Sequence, residues 1–223
     1  MSKFFNENKH ALLSLGFAFH GKIPKVACDP EKTLLRVLPA FFCDRKLFRM
    51  LLAWLNIVSD LLHVERLSSL AEALPSELKK VLLVLSLKLL KRDRRWKIVK
   101  THLNAEIDDK PLEVPAEFRD PYLISKYGID EEFQTIKVKV ARILPEDEKK
   151  ILSLQGILRA NGWLRLRALI GPNFRADVAY LYISGQATGP AETARVLQCA
   201  RDTAYRNWRA LEEADVRKMV TLR

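Results

Sequence analysis

The run VLLVLSLKLL, Val81 to Leu90, constrains the fold more than any other part of the chain. It sits inside SELKKVLLVLSLKLLKRDRRWKIVK, a stretch that reads as one long helix with Ser76 as its cap. The middle of that helix is apolar on nearly every face, and such a helix is enclosed by neighbours rather than laid on a surface. Crossing a bilayer takes roughly 18 or more apolar residues, and this run is shorter and carries Lys88. The run therefore predicts a central helix surrounded by others.

The flanking sequence supplies candidates for those neighbours. Asp29 followed by Pro30 is an N-cap with proline in the first turn, opening DPEKTLLRVLPAFF. Asp44 caps the next helix, in which Leu47, Phe48, Leu51, Leu52, Leu55, Val58 and Leu62 recur at helical spacing. A short helix over VERLSSLAEAL stops before Pro75. Together these predict a helical region over residues 1–104. Composition then shifts at NAEIDDKPLEVPAEFRDPY, where Pro111, Pro115 and Pro121 stand among acidic residues without a clean period. Residues 105–144 read as a linker or an extended crossing segment. Within them EEFQTIKVKVARI alternates at Ile136, Val138 and Val140, which suits a short strand or a helix. PEDEKKILSLQGILRANG predicts a helix from Pro145 to Gly162, opening a third region over residues 145–223. The expected fold class is mainly α.

The net charge of +11 points to a polyanionic partner, either nucleic acid or an acidic membrane face. Cys28, Cys43 and Cys199 are far apart and form no C-x-x-C, so free thiols in a reducing compartment are expected. His10, His20, His63 and His102 are equally scattered, and neither a metal nor another cofactor is expected. The start MSKFFNENKH is too polar for a signal peptide, which predicts a cytoplasmic protein without a membrane partner. No phosphate-binding glycine loop, G-x-S-x-G or H-E-x-x-H is present, so no enzymatic activity is expected. A nuclease would have to use Asp108, Asp109, Glu131, Glu132, Glu146 and Asp147, which lack a catalytic spacing.

The last third of the chain is the most informative. GPNFRADVAYLYI reads as a helix with Val178, Leu181 and Tyr182 on one face. After SGQATG, a second helix, GPAETARVLQ, turns Ala191, Ala194 and Leu197 inward. A tight connection at Gln198 to Ala200 leads to a third helix from Arg201 to Glu213. Two short helices joined by a turn of about three residues have helix-turn-helix spacing. Ala194 is small enough for a close crossing, and Leu197 and Cys199 put apolar groups on either side of the turn. Ala204, Trp208 and Leu211 form the buried stripe of the third helix, leaving Arg201, Asp202, Tyr205, Arg206 and Arg209 for a major groove. Upstream, Arg159, Arg165, Arg167 and Arg175 add positive charge before the first acid, Asp177.

Over residues 162–223 this pattern resembles the winged helix-turn-helix transcriptional regulators of bacteria and archaea. Glu192, Ala194, Leu197, Thr203, Tyr205, Arg206, Leu211, Glu212 and Ala214 coincide with the family pattern. Gln198 stands at the turn glycine, Ala200 at the capping serine, and Asp215 at the glycine after the third helix. VRKMVTLR could begin a wing, but no second wing strand follows it here, so the expected wing is missing, truncated or completed by something else. The resemblance implies a regulator that binds double-stranded DNA, with Arg201, Asp202, Thr203, Tyr205, Arg206 and Arg209 at the interface. Weak specificity from one motif implies a homodimer reading half-sites about one helical turn apart. The alternative is an assembly protein whose winged helix docks on another protein.

A second basic cluster lies in KLLKRDRRWKIVK, where Lys88 to Lys100 face a single acid, Asp93. Basic residues interleaved with Trp96 suit phosphate contact, so Lys91, Arg92, Arg94, Arg95 and Lys97 are expected as auxiliary phosphate contacts. The competing readings are a solvated helix end, where cations favour the C-terminal dipole, and a membrane-surface helix.

Overall fold

A computed structural model describes residues 3–106, 108, 110, 112–144 and 148–216. The molecule is mainly α-helical. Its elements are α1 (Lys3–Ser14), α2 (Pro30–Val37), α3 (Ala40–Cys43), α4 (Arg45–Val58), α5 (Val64–Ala71), α6 (Ser76–Leu90) and α7 (Lys97–Glu106). There follow α8 (Pro121–Tyr127), α9 (Glu131–Gln134), α10 (Leu154–Ala160), α11 (Gly162–Ile170), α12 (Phe174–Ser184), α13 (Pro190–Leu197) and α14 (Arg201–Glu213). Among the described residues there is no strand, only isolated bridges joining Phe17 to Ile151 and Ile129 to Ala141.

The central helix is where its composition puts it. Val81, Leu82, Leu83, Val84, Leu85 and Leu89 of α6 are buried, within a large core that takes residues from α1, α2, α4, α5 and α7. The capping signals hold. Asp29 accepts from the Lys32 amide at 3.1 Å, and Asp44 accepts from the Leu47 amide at 3.0 Å. Ser76 differs: it is the first residue of α6, and Pro75 occupies the cap without a side-chain bond. The long helix also ends early. Asp93 leaves the helical conformation and accepts from the Arg95 amide, so α6 and α7 are two helices separated by the Arg94–Trp96 turn.

The described residues of the segment 105–144 pack against the helical body. Leu112, Val114, Phe118, Phe133, Val138, Val140 and Ile143 are buried in the large core, with Phe118 and Phe133 stacked on Phe41 at 4.9 and 5.2 Å. The alternation at Ile136, Val138 and Val140 produces no strand, because α9 is followed by a turn with Lys137 in the left-handed region. The helix expected from Pro145 to Gly162 is broken. Pro145 lies outside the described residues, Ile151 pairs with Phe17, and α10 begins at Leu154 under the cap of Ser153. Gly162 does not stop a helix but begins α11, behind an Asn161 cap. A Cβ at Gly162 would come within 2.6 Å of the Tyr180 ring, so glycine permits the close approach of α11 to α12. Gly16 is as constrained: at φ +87°, its missing Cβ would meet Ile157 at 2.7 Å.

A smaller core gathers Trp163, Leu166, Val178, Leu181, Tyr182, Leu197 and Trp208, with Ala27 from the loop before α2. Helix α11 belongs to both cores, since Leu164 enters the large one and Trp163 and Leu166 enter the small one. The C-terminal helices are thereby attached along a shared helix as well as through the chain.

Candidate nucleic-acid interface

Helices α12, α13 and α14 form a three-helix unit. Glu192 reaches back to accept from the amide and hydroxyl of Thr188, at 2.9 and 2.8 Å, and so holds the chain entering α13. At the other end Gln198 adopts φ 55° and ψ 47°, the left-handed conformation that ends helices. The amides of Gln198 and Cys199 both donate to the Ala194 carbonyl. Gln198 therefore takes the conformation expected of a turn glycine. Asp215, at φ 50°, does the same after α14. Ala200 precedes α14 with no side-chain cap, as an alanine must.

Ala194, Leu197, Ala204 and Trp208 are buried, and Cys199 and Leu211 pack against the small core. Trp208 meets Tyr182 edge-on at 4.9 Å and donates from Nε1 to Glu212 at 2.8 Å. With that stripe inward, Arg201, Asp202, Tyr205, Arg206 and Arg209 are exposed and Thr203 is half-buried. Two of the arginines pair along the helix, Arg206 with Asp202 at 3.0 Å and Arg209 with Glu213 at 2.7 Å. Such exposed pairs are weak and open readily to a stronger anion. Residues 217–223, where a wing strand was expected, lie outside the described residues.

Behind this surface is a buried ionic network that sequence reasoning missed. Arg167 was expected among the surface cations but is fully buried. It pairs bidentately with Glu31 of α2, at 2.6 and 2.8 Å, and its Nε donates to Asp177 of α12 at 2.7 Å. Arg66 of α5 donates to Glu31 at 2.8 Å and pairs with Asp29. His63 donates from Nδ1 to Asp177 at 2.9 Å, and its amide donates to Glu31 at 3.0 Å. The guanidinium groups of Arg66 and Arg167 lie 5.6 and 5.8 Å from the Trp163 ring centroid. Burial pushes the Glu31 carboxyl up, but Arg167 and then Arg66 overcome it and hold the group below its ordinary value. Asp177 is likewise raised by burial and lowered further by Arg167 and His63. The two arginines go the other way: burial lowers them, but the facing carboxylates prevail and keep both charged.

The network reaches the turn between α13 and α14 directly. Arg66 Nε donates to the Leu197 carbonyl at 3.1 Å, and Lys32 Nζ donates to the Val196 carbonyl at 2.8 Å. Both carbonyls close α13, where unpaired acceptors and the helix dipole favour cations. Cations from α2 and α5 thus hold the turn that sets the direction of α14. One signal of this was legible: Arg167 follows Trp163 and Leu164 by four and three residues, on the apolar face of α11. Its partners, from α2, α5 and α12, were beyond sequence periodicity.

The second basic cluster changes character on folding. Trp96 is fully buried and offers no stacking surface, because the turn after Asp93 points it into the large core. Lys88 binds Asp130 at 2.7 Å and Glu132 at 3.0 Å, and Lys91 binds Glu132 at 2.6 Å. Burial raises Glu132, but Lys91 and Lys88 lower it to about 2. Arg95 pairs with Asp93 and donates to the Asp60 carbonyl at 2.6 Å, while Arg92 donates to the Asn56 carbonyl at 3.0 Å. Arg94 and Lys97 stay exposed without a partner among the described residues. Acids distant in sequence therefore neutralise Lys88 and Lys91, and the nearby Asp93 neutralises Arg95.

Among the described residues, no helix is long and apolar enough to cross a membrane, and no group of three or more His, Cys, Asp or Glu side chains could hold a metal ion. No family model, no curated protein and no solved structure matches this chain.

Proposed function

We propose that the protein binds double-stranded DNA through α14 and acts as a transcriptional regulator of the winged helix-turn-helix kind. The observation that carries this reading is the α13–Gln198–α14 turn. The tight left-handed connection and the buried Ala194, Leu197, Ala204 and Trp208 leave the Arg201, Thr203, Tyr205, Arg206 and Arg209 face outward. Arginine can pair bidentately with guanine edges, whereas Thr and Tyr more often hold phosphates. Asp202 limits Arg206 until DNA displaces it. Of the five expected auxiliary contacts, Arg94 and Lys97 have no partner among the described residues, while Lys91, Arg92 and Arg95 bond to protein groups. A homodimer would place two copies of α14 about one helical turn apart.

One observation favours the protein-docking alternative. Helix α14 carries Arg201, Arg206 and Arg209 against Asp202, Glu212 and Glu213, so its own charge is balanced. Fluorescence anisotropy with a labelled random duplex separates the readings. DNA binding predicts an affinity that falls more than tenfold between about 50 and about 200 mM salt. In Arg206→Ala/Arg209→Ala, the slope of log affinity against log salt should shrink by about 0.9 for each lost phosphate contact. No binding at low salt, or an unchanged double variant, removes α14 from a DNA interface.

A further inference from the structure

A cleft of about 1100 Å³ opens on the face formed by α1, the start of α4 and α8. It lies among the residues of the large core and outside the helix-turn-helix. Three cations line it without a carboxylate partner among the described residues: Arg45, Lys46 and Arg142. Arg45 is half-buried, held by one bond to the Glu117 carbonyl at 3.3 Å and by the Phe118 face at 5.4 Å. Its Nε is buried with no hydrogen-bond partner. Asp44 and Glu117 also line the cleft, but Asp44 caps α4 and Glu117 offers Arg45 its backbone carbonyl. Among the described lining residues five cations, Arg45, Lys46, Arg49, Arg142 and Lys150, stand against the two carboxylates, so the cleft carries an excess of positive charge beside apolar walls.

Those walls are incomplete. Helix α8 has no buried residue at all, and Tyr122 is 67% exposed. A helix of one or two turns that buries only Leu123 and Ile124, and those in part, is marginal in water, since helices owe most of their stability to packing an apolar face. Its Leu123 and Tyr127 line the cleft together with Phe19 and Leu47. A ligand seated there would supply the apolar contact that α8 lacks.

From this juxtaposition we infer that the cleft is a binding site for a small organic anion, with a carboxylate or sulfonate head and an apolar body. The head faces Lys46 and Arg142, and the body lies between Phe19 and α8. Sites of this kind combine apolar walls with a few convergent polar groups, and planar guanidinium groups match carboxylates well. This inference stands whether or not the protein binds DNA.

Calorimetric titration of the full chain with 2-naphthoate, decanoate, 2-naphthylmethanol and inorganic phosphate tests it. At least one of the two carboxylates should bind at one site per chain. The alcohol should bind at least tenfold more weakly and phosphate should not compete. Lys46→Gln/Arg142→Gln, both exposed and without a carboxylate partner among the described residues, should weaken the carboxylate at least tenfold. Hydrogen exchange on the unaltered protein gives a second readout that needs no variant: saturating carboxylate should slow the amides of α8, and phosphate should leave them unchanged. Binding of neither carboxylate, equal affinity for the alcohol, equal competition by phosphate, full affinity in the double variant, or unaltered exchange in α8 would each overturn the inference.

Discussion

Trp208 and Gln198 make opposite predictions at the same turn. Trp208 is buried against Tyr182 and closes the small core, so Trp208→Ala leaves a cavity that the neighbouring rings cannot fill. Truncations of this kind cost about 3–5 kcal/mol. The midpoint of chemical denaturation should fall accordingly, and a loss under about 1 kcal/mol would mean the stripe is assigned to the wrong face. Gln198 is exposed and left-handed, a conformation that costs an L-residue roughly 1–2 kcal/mol and costs glycine almost nothing. Glycine loses about 0.5–1 kcal/mol of that advantage to the entropy of the unfolded chain. Gln198→Gly should therefore stabilise the protein by about 0.5–1 kcal/mol, visible as a raised Tm. A lowered Tm would show that the turn does not need the left-handed residue.

Between elements, the buried network decides how α2, α5, α11 and α12 sit together. Arg167 joins three of them, and removing it leaves Glu31 and Asp177 facing each other in the interior with one cation fewer. Breaking a buried pair from one side typically costs about 3–5 kcal/mol, mostly the penalty of the stranded charge. Arg167→Met should show that loss in denaturant. Glu31→Gln in the Arg167→Met background should recover part of it, because one of the two buried carboxylates left facing each other is then neutral. A double variant as unstable as the sum of the singles would mean the two side chains act independently. The geometry of the turn before α14 should respond too, since Arg66 is held by Glu31 while it donates to Leu197.

At the scale of the whole molecule the network sets the response to acid. Glu31, Asp177 and Glu132 all have carboxyls held below their ordinary values of 4.5, 3.8 and 4.5. A group lowered by folding contributes stability that is complete above its unfolded value and is lost as pH falls through its folded one. Stability should thus hold between about pH 7 and pH 5.5 and decline below about pH 4.5, continuing to about 2, where Glu132 takes up its proton. Thermal melts across that range check it, and a Tm unchanged down to about pH 3 would contradict the network. Acidification should loosen the attachment of α12 to α2 as well as lower the Tm, because Asp177 and Glu31 meet across that junction.

The sequence alone determined the features that depend on near neighbours in the chain. The apolar run of α6, the Asp29 and Asp44 caps, and the stripe of Ala204, Trp208 and Leu211 all follow from a period of 3.6 and from local hydrogen bonding. Only the tertiary structure decided which charges face water. Arg167 and Arg66 lie at positions where sequence allows either a surface or a core, and their burial depends on Glu31, Asp29 and Asp177 arriving from other helices. Lys88 and Lys91 lose their freedom to Asp130 and Glu132 for the same reason. Periodicity reports the face of a helix, but the Coulomb energy of a side chain depends on every charge within several ångströms, whatever its distance along the chain.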